Sequence, residues 1–418
     1  MIIIIKNKGI DTMKPYIVKI CLVIFLSTCP LLASIIEAQK NTTDDWHKHH
    51  KHENVSNFNY DGMIMEAVLT NDFLANVSGG LKQDSTILGN IDLTVEFDSE
   101  KLNLWKGGTF FAYILGNYSS NQGMTNYAGD FQTSSNIEAP QTMHIYELWY
   151  QHEFSDKFSI LFGLHDYNSE FDVLEYGALF INSSFGIEPE ISQVTPSIFP
   201  NTALTLRVSA KLSDRAYILA TLNDGVVGNP NNDKVATVEW RKDDGFFSSV
   251  EIGISENEAY DANYYKLAIG SWYHSAKTEN FAGIVDDKNG GVYIIGEKSL
   301  YSYDESVISA FFQVGVADQQ RNVVGSYIGI GITYKGLFPN RNKDILGLAV
   351  ANAITSKEYR NFSAGSADVY ESTIELTYEL ALKDWFVVQP DIEYIINPSM
   401  DNNVENALIV GVRVTLSY

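Results

Sequence analysis

Apolar and polar residues alternate most strictly at the end of the chain. Leu408, Val410, Val412, Val414, Leu416 and Tyr418 fill one set of alternate positions; Ala407, Ile409, Gly411, Arg413, Thr415 and Ser417 fill the other. A period of two belongs to a β-strand, whose successive side chains point to opposite faces. Earlier segments repeat the pattern. Segment 90–97 sets Ile91, Leu93, Val95 and Phe97 against Asn90, Asp92, Thr94 and Glu96. Segment 202–212 sets Leu204, Leu206, Val208, Ala210 and Leu212 against Thr205, Arg207, Ser209 and Lys211. Segment 369–379 sets Ile374, Leu376 and Tyr378 against Glu371, Thr373, Glu375, Thr377 and Glu379. Segment 386–396 sets Val388, Ile392 and Tyr394 against Gln389, Asp391 and Glu393. Pro390 cannot donate to a ladder, so a local bulge is expected there.

From about residue 64 onward the chain reads as about sixteen to seventeen such strands, with no sustained helical periodicity. Their connections fall into two kinds. FSDKF (154–158), LSDRA (212–216) and LKDW (382–385) are tight turns carrying Asp, whereas 117–143 and 166–201 are long. Short turns at one end and long loops at the other are the asymmetry of an outer-membrane barrel. Its strands carry an apolar outer face and a polar, wet inner one. The expected fold is therefore all-β: a transmembrane antiparallel barrel of about 16 strands.

Charge and composition narrow the partners. The net charge of −23 excludes nucleic acid as a natural partner, since phosphates are gripped by Lys and Arg. The 24 Tyr and 22 Phe suit the aromatic girdles of such a barrel. At the N-terminus, Met13 followed by Lys14 and Lys19, an apolar run over 20–32 and the small Ala38 read as a secretory signal over 1–38. Met13 is the better start. Both cysteines, Cys21 and Cys29, fall in that segment, so no cysteine pair or cysteine metal site is expected in the remainder. Residues 39–62 form a polar tail with His47, His49, His50 and His52; clustered imidazoles can catch a metal, but a solvated tail is the simpler reading. The barrel is assigned to 63–418.

No nucleophile elbow, phosphate loop, dinucleotide fingerprint or zinc-protease motif is present. No catalytic residue, metal or cofactor is assigned.

A set of strings occurs in order along the chain: LANVSGGLK (74–82), LNLWKGGT (102–109), YELWY (146–150), FGLHD (162–166) and FINSSFGI (180–187). FP (199–200), KLAIGSWYH (266–274), YKGLFPNRNKD (334–344), VQPDIEYIINP (388–398) and NALIVGVR (406–413) follow. This set resembles the carbohydrate-selective porin family (OprB family) of Gram-negative outer membranes. The resemblance implies a sixteen-stranded barrel that passes small sugars by diffusion, without an enzymatic step. It also implies that Tyr418 is the sorting signal read by the barrel assembly machinery. Partners are then outer-membrane lipid and lipopolysaccharide, small sugars and that machinery, and a homo-oligomer is compatible with this class.

Such a channel needs hydrogen-bonding groups for sugar hydroxyls and an aromatic face for the apolar side of the ring. By the alternation, the inward candidates are Asp92, Glu96, Glu147, Trp149, Arg207, Lys211, Trp272, His274, Glu375, Asp391, Glu393 and Arg413. Trp149 lies between Glu147 and Gln151 on one face, and Trp272 is flanked by His274; each is a stacking platform or a girdle residue. The connection 166–201 carries Glu170, Asp172, Glu175, Phe185 and Glu188. Its length and apolar content suggest a loop folded inward as the constriction. The alternatives are a general or cation-preferring porin of the same barrel class and a secreted soluble β-rich carbohydrate-binding protein.

Overall fold

The computed structural model describes residues 58–228 and 244–418. The expected signal segment and residues 39–57 of the expected tail, with their four histidines, lie outside the described residues. The described chain is mostly strand with almost no helix, and the alternating segments take the paths their periodicity demands. The barrel strands are β1 (Met63–Gly80), β2 (Asp84–Asp98), β3 (Gly108–Ser119), β4 (Thr142–Ser155), β5 (Phe158–His165), β6 (Ala203–Lys211), β7 (Ala216–Asp224) and β8 (Phe246–Glu256). They continue as β9 (Tyr265–His274), β10 (Asn289–Tyr303), β11 (Ser306–Ala317), β12 (Val324–Lys335), β13 (Ile345–Thr355), β14 (Tyr370–Lys383), β15 (Phe386–Ile396) and β16 (Glu405–Ser417).

Each strand pairs antiparallel with its sequence neighbours, and β16 pairs with β1, so 16 strands close without an edge. Closure lets the strands pair their backbone groups within the sheet and leaves no open edge, which hydrocarbon requires. The seam runs Leu416 opposite Leu69 and Val412 opposite Phe73, and Tyr418 and Ala67 exchange backbone N–H···O bonds of 2.8 Å. Residues Phe58–Tyr60, which the sequence places in the tail, add a short rung beside Met63–Met65 of β1. No helix among the described residues is long and apolar enough to cross a membrane; the strands do the crossing.

The outer face is apolar and exposed, as at Val292 and Ile294 or Ile328, Ile330 and Ile332. Trp105, Tyr150 and Phe110 pack together on it near the turn end, as do Trp385 and Phe386. On β16, Val412 and Leu416 face outward while Arg413 faces in and pairs with Asp72. The bulge expected at Pro390 is absent. The β14–β15 ladder skips Pro390 but keeps its register from Thr377/Asp391 to Leu380/Val388, and the irregularity falls at Ala381/Lys383, beside the turn. Pro390 faces outward, so its missing N–H interrupts one ladder without forcing an extra residue into it.

The tight turns 156–157, 212–215 and 384–385 share one end. Residues 120–141 and 166–202, the second and third connections at the other end, fold into the lumen, where inward wall residues bond to them. The division by length is incomplete: 81–83 is short at the loop end, and 336–344 is long at the turn end.

Candidate functional site: a lumen with one covered and one open wall

The connection 166–202 is held in shape by its own side chains. Asp166 accepts from the Asn168 N–H (2.8 Å), Asn182 accepts from the Ser184 N–H (3.0 Å), and the Ser197 hydroxyl ties the two ends together by donating to the His165 carbonyl (2.6 Å). Its apolar residues Phe171, Leu174, Tyr176, Leu179, Phe180, Phe185 and Ile191 are buried in one cluster with Phe247, Trp272, Tyr293, Phe311 and Tyr327 from the wall. The wall is low where the loop presses. Inner positions of β13 read Gly347, Ala349, Ala351, Ala353, and a Cβ on Gly347 would meet Leu179 at 2.7 Å and Phe180 at 2.8 Å.

Glutamates of the same wall clasp the loop backbone. Glu251 accepts from Asp172 N–H (3.0 Å); Glu297 accepts from Glu175 (3.1 Å) and Tyr176 (2.9 Å); Glu375 accepts from Ile181 (2.7 Å) and Asn182 (3.0 Å). Lys266 Nζ donates to the Val173 carbonyl at 2.7 Å. The glutamates pair loop N–H groups, and Lys266 a loop carbonyl, that the docked loop removes from water. Residues 120–141 are held likewise. Glu371 accepts from Phe131 (2.7 Å) and Gln132 (2.8 Å), Asp72 accepts from the Ser135 hydroxyl (2.7 Å), and Arg413 grips Asp72 with two bonds of 2.7 Å and donates to Asn136 at 2.7 Å. The two loops meet through Asn136 N–H to Ile181 O (2.8 Å) and Ser183 N–H to Thr133 O (3.0 Å).

Glu188 and Glu190 turn their carboxyls into the space left by the missing side chain of Gly315 on β11. Burial raises both pKa values, Glu190 to about 7, and for Glu188 the neighbouring Glu190 and Asp172 add to the effect. Burial likewise raises Asp172 well above its ordinary range.

On the opposite side, β1 to β4 leave a different surface. Glu66, Asp92, Thr94, Glu96, Phe111 and Tyr113 are inward and only half-buried. Beside them lies a charged knot. Glu147 accepts from Trp149 Nε1 (3.0 Å), from His165 Nδ1 (2.9 Å) and from Asp166 N–H (3.1 Å). Arg207 donates to Glu170 (2.7 Å), Ser159 (2.8 Å) and Gln151 (2.5 Å), and His165 Nε2 reaches Glu170 at 3.3 Å. Burial raises Asp166 to about 7, helped by the Glu147 charge. Burial would raise Glu170 too, but the Arg207 and His165 charges win and hold it well below the usual carboxylate range.

The candidates therefore divide. Asp92, Glu96, Glu147, Trp149 and Arg207 lie on the β2–β6 side with Glu170, and Lys211 is half-buried at the turn end of β6. Arg413 holds the loop 120–141. Trp272 lies beneath the loop 166–202, its ring parallel to Phe247 at 6.2 Å. His274 donates from Nε2 to the Gly225 carbonyl at 2.9 Å. Glu375 and Glu393 both meet that loop, the latter through Asn182 Nδ2 (2.9 Å), with Asp391 beside them. Asp172, Phe185 and Glu188 turn into the packed interface, Phe185 against Phe180 and Phe311. Glu175 is half-buried. Sequence reasoning missed Asp72, Glu251 and Glu297 as loop clasps. Phe111 and Tyr113 were missed because Phe110 to Tyr113 is apolar or aromatic throughout and shows no alternation. Among the described residues no group of three or more His, Cys, Asp or Glu stands where it could hold a metal ion.

A closed sixteen-stranded barrel with a greasy exterior, a polar lumen and an inserted third loop is an outer-membrane porin. The model of the carbohydrate-selective porin, OprB family, matches residues 82–418, and the chain belongs to that family. It is a protein of the Gram-negative outer membrane. Porin B of Pseudomonas aeruginosa is 23% identical over 385 residues, covering 81% of this chain and 84% of that protein. The high-pH structure of Pseudomonas putida OprB superposes with a TM-score of 0.76 at 17% identity, covering 86% of this chain and 94% of that one. Salmonella typhi OmpF, in complex with daunomycin, shares the fold more loosely, with a TM-score of 0.55 at 10% identity.

Proposed function

We propose that the chain conducts single neutral sugars, of monosaccharide size, by passive diffusion along the turn-end half of the β1–β4 wall, with the loop 166–202 narrowing the passage from the other side and the loop 120–141 packed over the loop-end half of β1 and β2. The observation that carries this reading is the asymmetry of the lumen. Most inner positions of β8–β15 that face the loop 166–202 are buried against it, whereas Asp92, Glu96, Phe111 and Tyr113 are only half-buried. A mixed carboxylate, hydroxyl and aromatic surface suits a polyol with one apolar face. Arg207, Glu170, Glu147 and Trp149 frame this path, and Lys211 supplies positive charge at its turn end.

The outer face meets outer-membrane lipid and lipopolysaccharide, and Tyr418, at the end of the closing strand, serves as the signal for the barrel assembly machinery. Liposome swelling with glucose set against a disaccharide tests the sugar reading: faster monosaccharide entry supports it. Equal rates for all solutes of similar size, with a cation-selective reversal potential in a salt gradient, would indicate a general, cation-preferring pore driven by the acidic wall.

A further inference from the structure

On the open wall two register rows lie side by side. One runs Glu96, Phe111, Trp149 across β2, β3 and β4; the other runs Glu66, Thr94, Tyr113, Glu147 across β1 to β4. Opposed side chains on one face of such a pair have Cβ atoms about 4.5–5.5 Å apart, so each row is a contiguous strip. Phe111 and Tyr113 stand in front, and each is backed by a buried ring. Phe111 lies against Trp149 with centroids 4.9 Å apart and planes 22° from parallel; Tyr113 meets Tyr146 edge-on at 5.0 Å. The backing rings are themselves fixed, Trp149 by Glu147 (3.0 Å) and Tyr146 by its hydroxyl on Asp166 (2.6 Å). The Tyr113 hydroxyl donates to Asp92 at 2.6 Å, and Glu96 stands directly across from Phe111.

We propose that Phe111 and Tyr113 form a stacking subsite for one pyranose ring, with Glu96 and Asp92 accepting hydrogen bonds from its hydroxyls. A pyranose carries a face of C–H groups that packs on an aromatic ring, and its adjacent hydroxyls are donors matched to a carboxylate. Rings already held by Trp149 and Tyr146 lose little freedom when the sugar arrives. Trp149 is therefore a positioning residue behind the platform. The subsite rests on the conduction of sugars proposed above.

Phe111→Ala is expected to raise the glucose concentration that half-saturates flux in proteoliposomes by about five- to tenfold. Phe111→Trp restores it, and Phe110→Ala, which alters the adjacent lipid-facing ring, leaves it unchanged. Conductance in potassium chloride reports that each variant is a folded, open barrel. If Phe111→Ala does not assemble, Phe111→Leu, which keeps volume without a ring face, must weaken half-saturation in the same direction. Wild-type half-saturation in an intact Phe111→Ala or Phe111→Leu barrel overturns the subsite and leaves sugar conduction standing. Glucose flux through the wild type that never saturates overturns the subsite. Absence of glucose entry through a conducting wild-type barrel overturns both.

Discussion

Trp149 and Trp272 look alike in the sequence: each sits on the inner face of a strand with a polar group two positions away. The structure gives them opposite surroundings. Trp149 is pinned by Glu147 among Arg207, His165 and Glu170, with half-exposed Phe111 on its front. Trp272 lies in the apolar seam where the loop 166–202 meets the wall, and its Nε1 has no hydrogen-bond partner. The difference belongs to the walls rather than the residues. One wall is carpeted with small side chains and clasping glutamates and carries the loop 166–202; the other keeps its polar and aromatic side chains in the lumen along its turn-end half. An inward charge in this barrel is therefore either part of the path or an anchor for what narrows it.

The largest way to break this contrast is to release the loop. Glu375→Ala leaves two buried amides without their acceptor, at about 1–3 kcal/mol each. We expect higher conductance and new protease cleavage within 166–202; unchanged values for both would refute the clasp. Deleting 182–190 should raise conductance in the same direction. Next is Gly347→Leu, which overfills the space held by Leu179 and Phe180 and costs about 1–3 kcal/mol. Lower thermal stability together with a wider pore is expected, and a wild-type melting profile would count against close docking.

Protonation gives a smaller effect with a defined sign. Burial raises Glu190 from 4.5 and Asp166 from 3.8, each to about 7. Between the ordinary and raised values the inserted loop holds protons that a released loop would not. The contribution of these two groups to insertion is thus largest at the acid end and is lost as pH rises through about 7. Loop cleavage by a protease active across the range should increase from about pH 5 to about pH 8, and Glu190→Gln should flatten the curve. A steeper rise in that variant would contradict the assignment.

The smallest effect compares the tryptophans directly. Trp149→Phe removes a hydrogen bond to Glu147 and should cost about 0.5–1.5 kcal/mol beyond any packing loss, while Trp272→Phe removes no bond. A double-mutant cycle of each with Phe111→Leu, read as glucose half-saturation, should couple for Trp149 only.

The barrel was legible in the sequence because alternation with period two fixes each strand's register and faces at once. Segments 90–97 and 407–418 gave the inward set directly. The inserted loop was legible from its length and from Phe180 and Phe185, but not the wall it rests on. The signal for that wall was present in Gly347, Ala349, Ala351 and Ala353, small residues at every second position, which periodicity reads as weakly polar. Glu375 and Glu96 carry the same alternation and the same charge; only the three-dimensional path of a loop far away in sequence separates an anchor from a lumen residue. Phe111 was hidden because its neighbours Phe110 and Ala112 are apolar as well.

The central claim is that water reaches the turn-end half of the β1–β4 wall and is excluded from the wall beneath the loop 166–202. With Cys21 and Cys29 replaced by Ser, single cysteines at Glu96 and Ala351 can be labelled with a charged, water-soluble thiol reagent in reconstituted barrels while conductance is recorded. The account predicts rapid labelling and a fall in conductance for Glu96→Cys, and silence for Ala351→Cys. Equal labelling at both positions, or a silent Glu96→Cys, would contradict it.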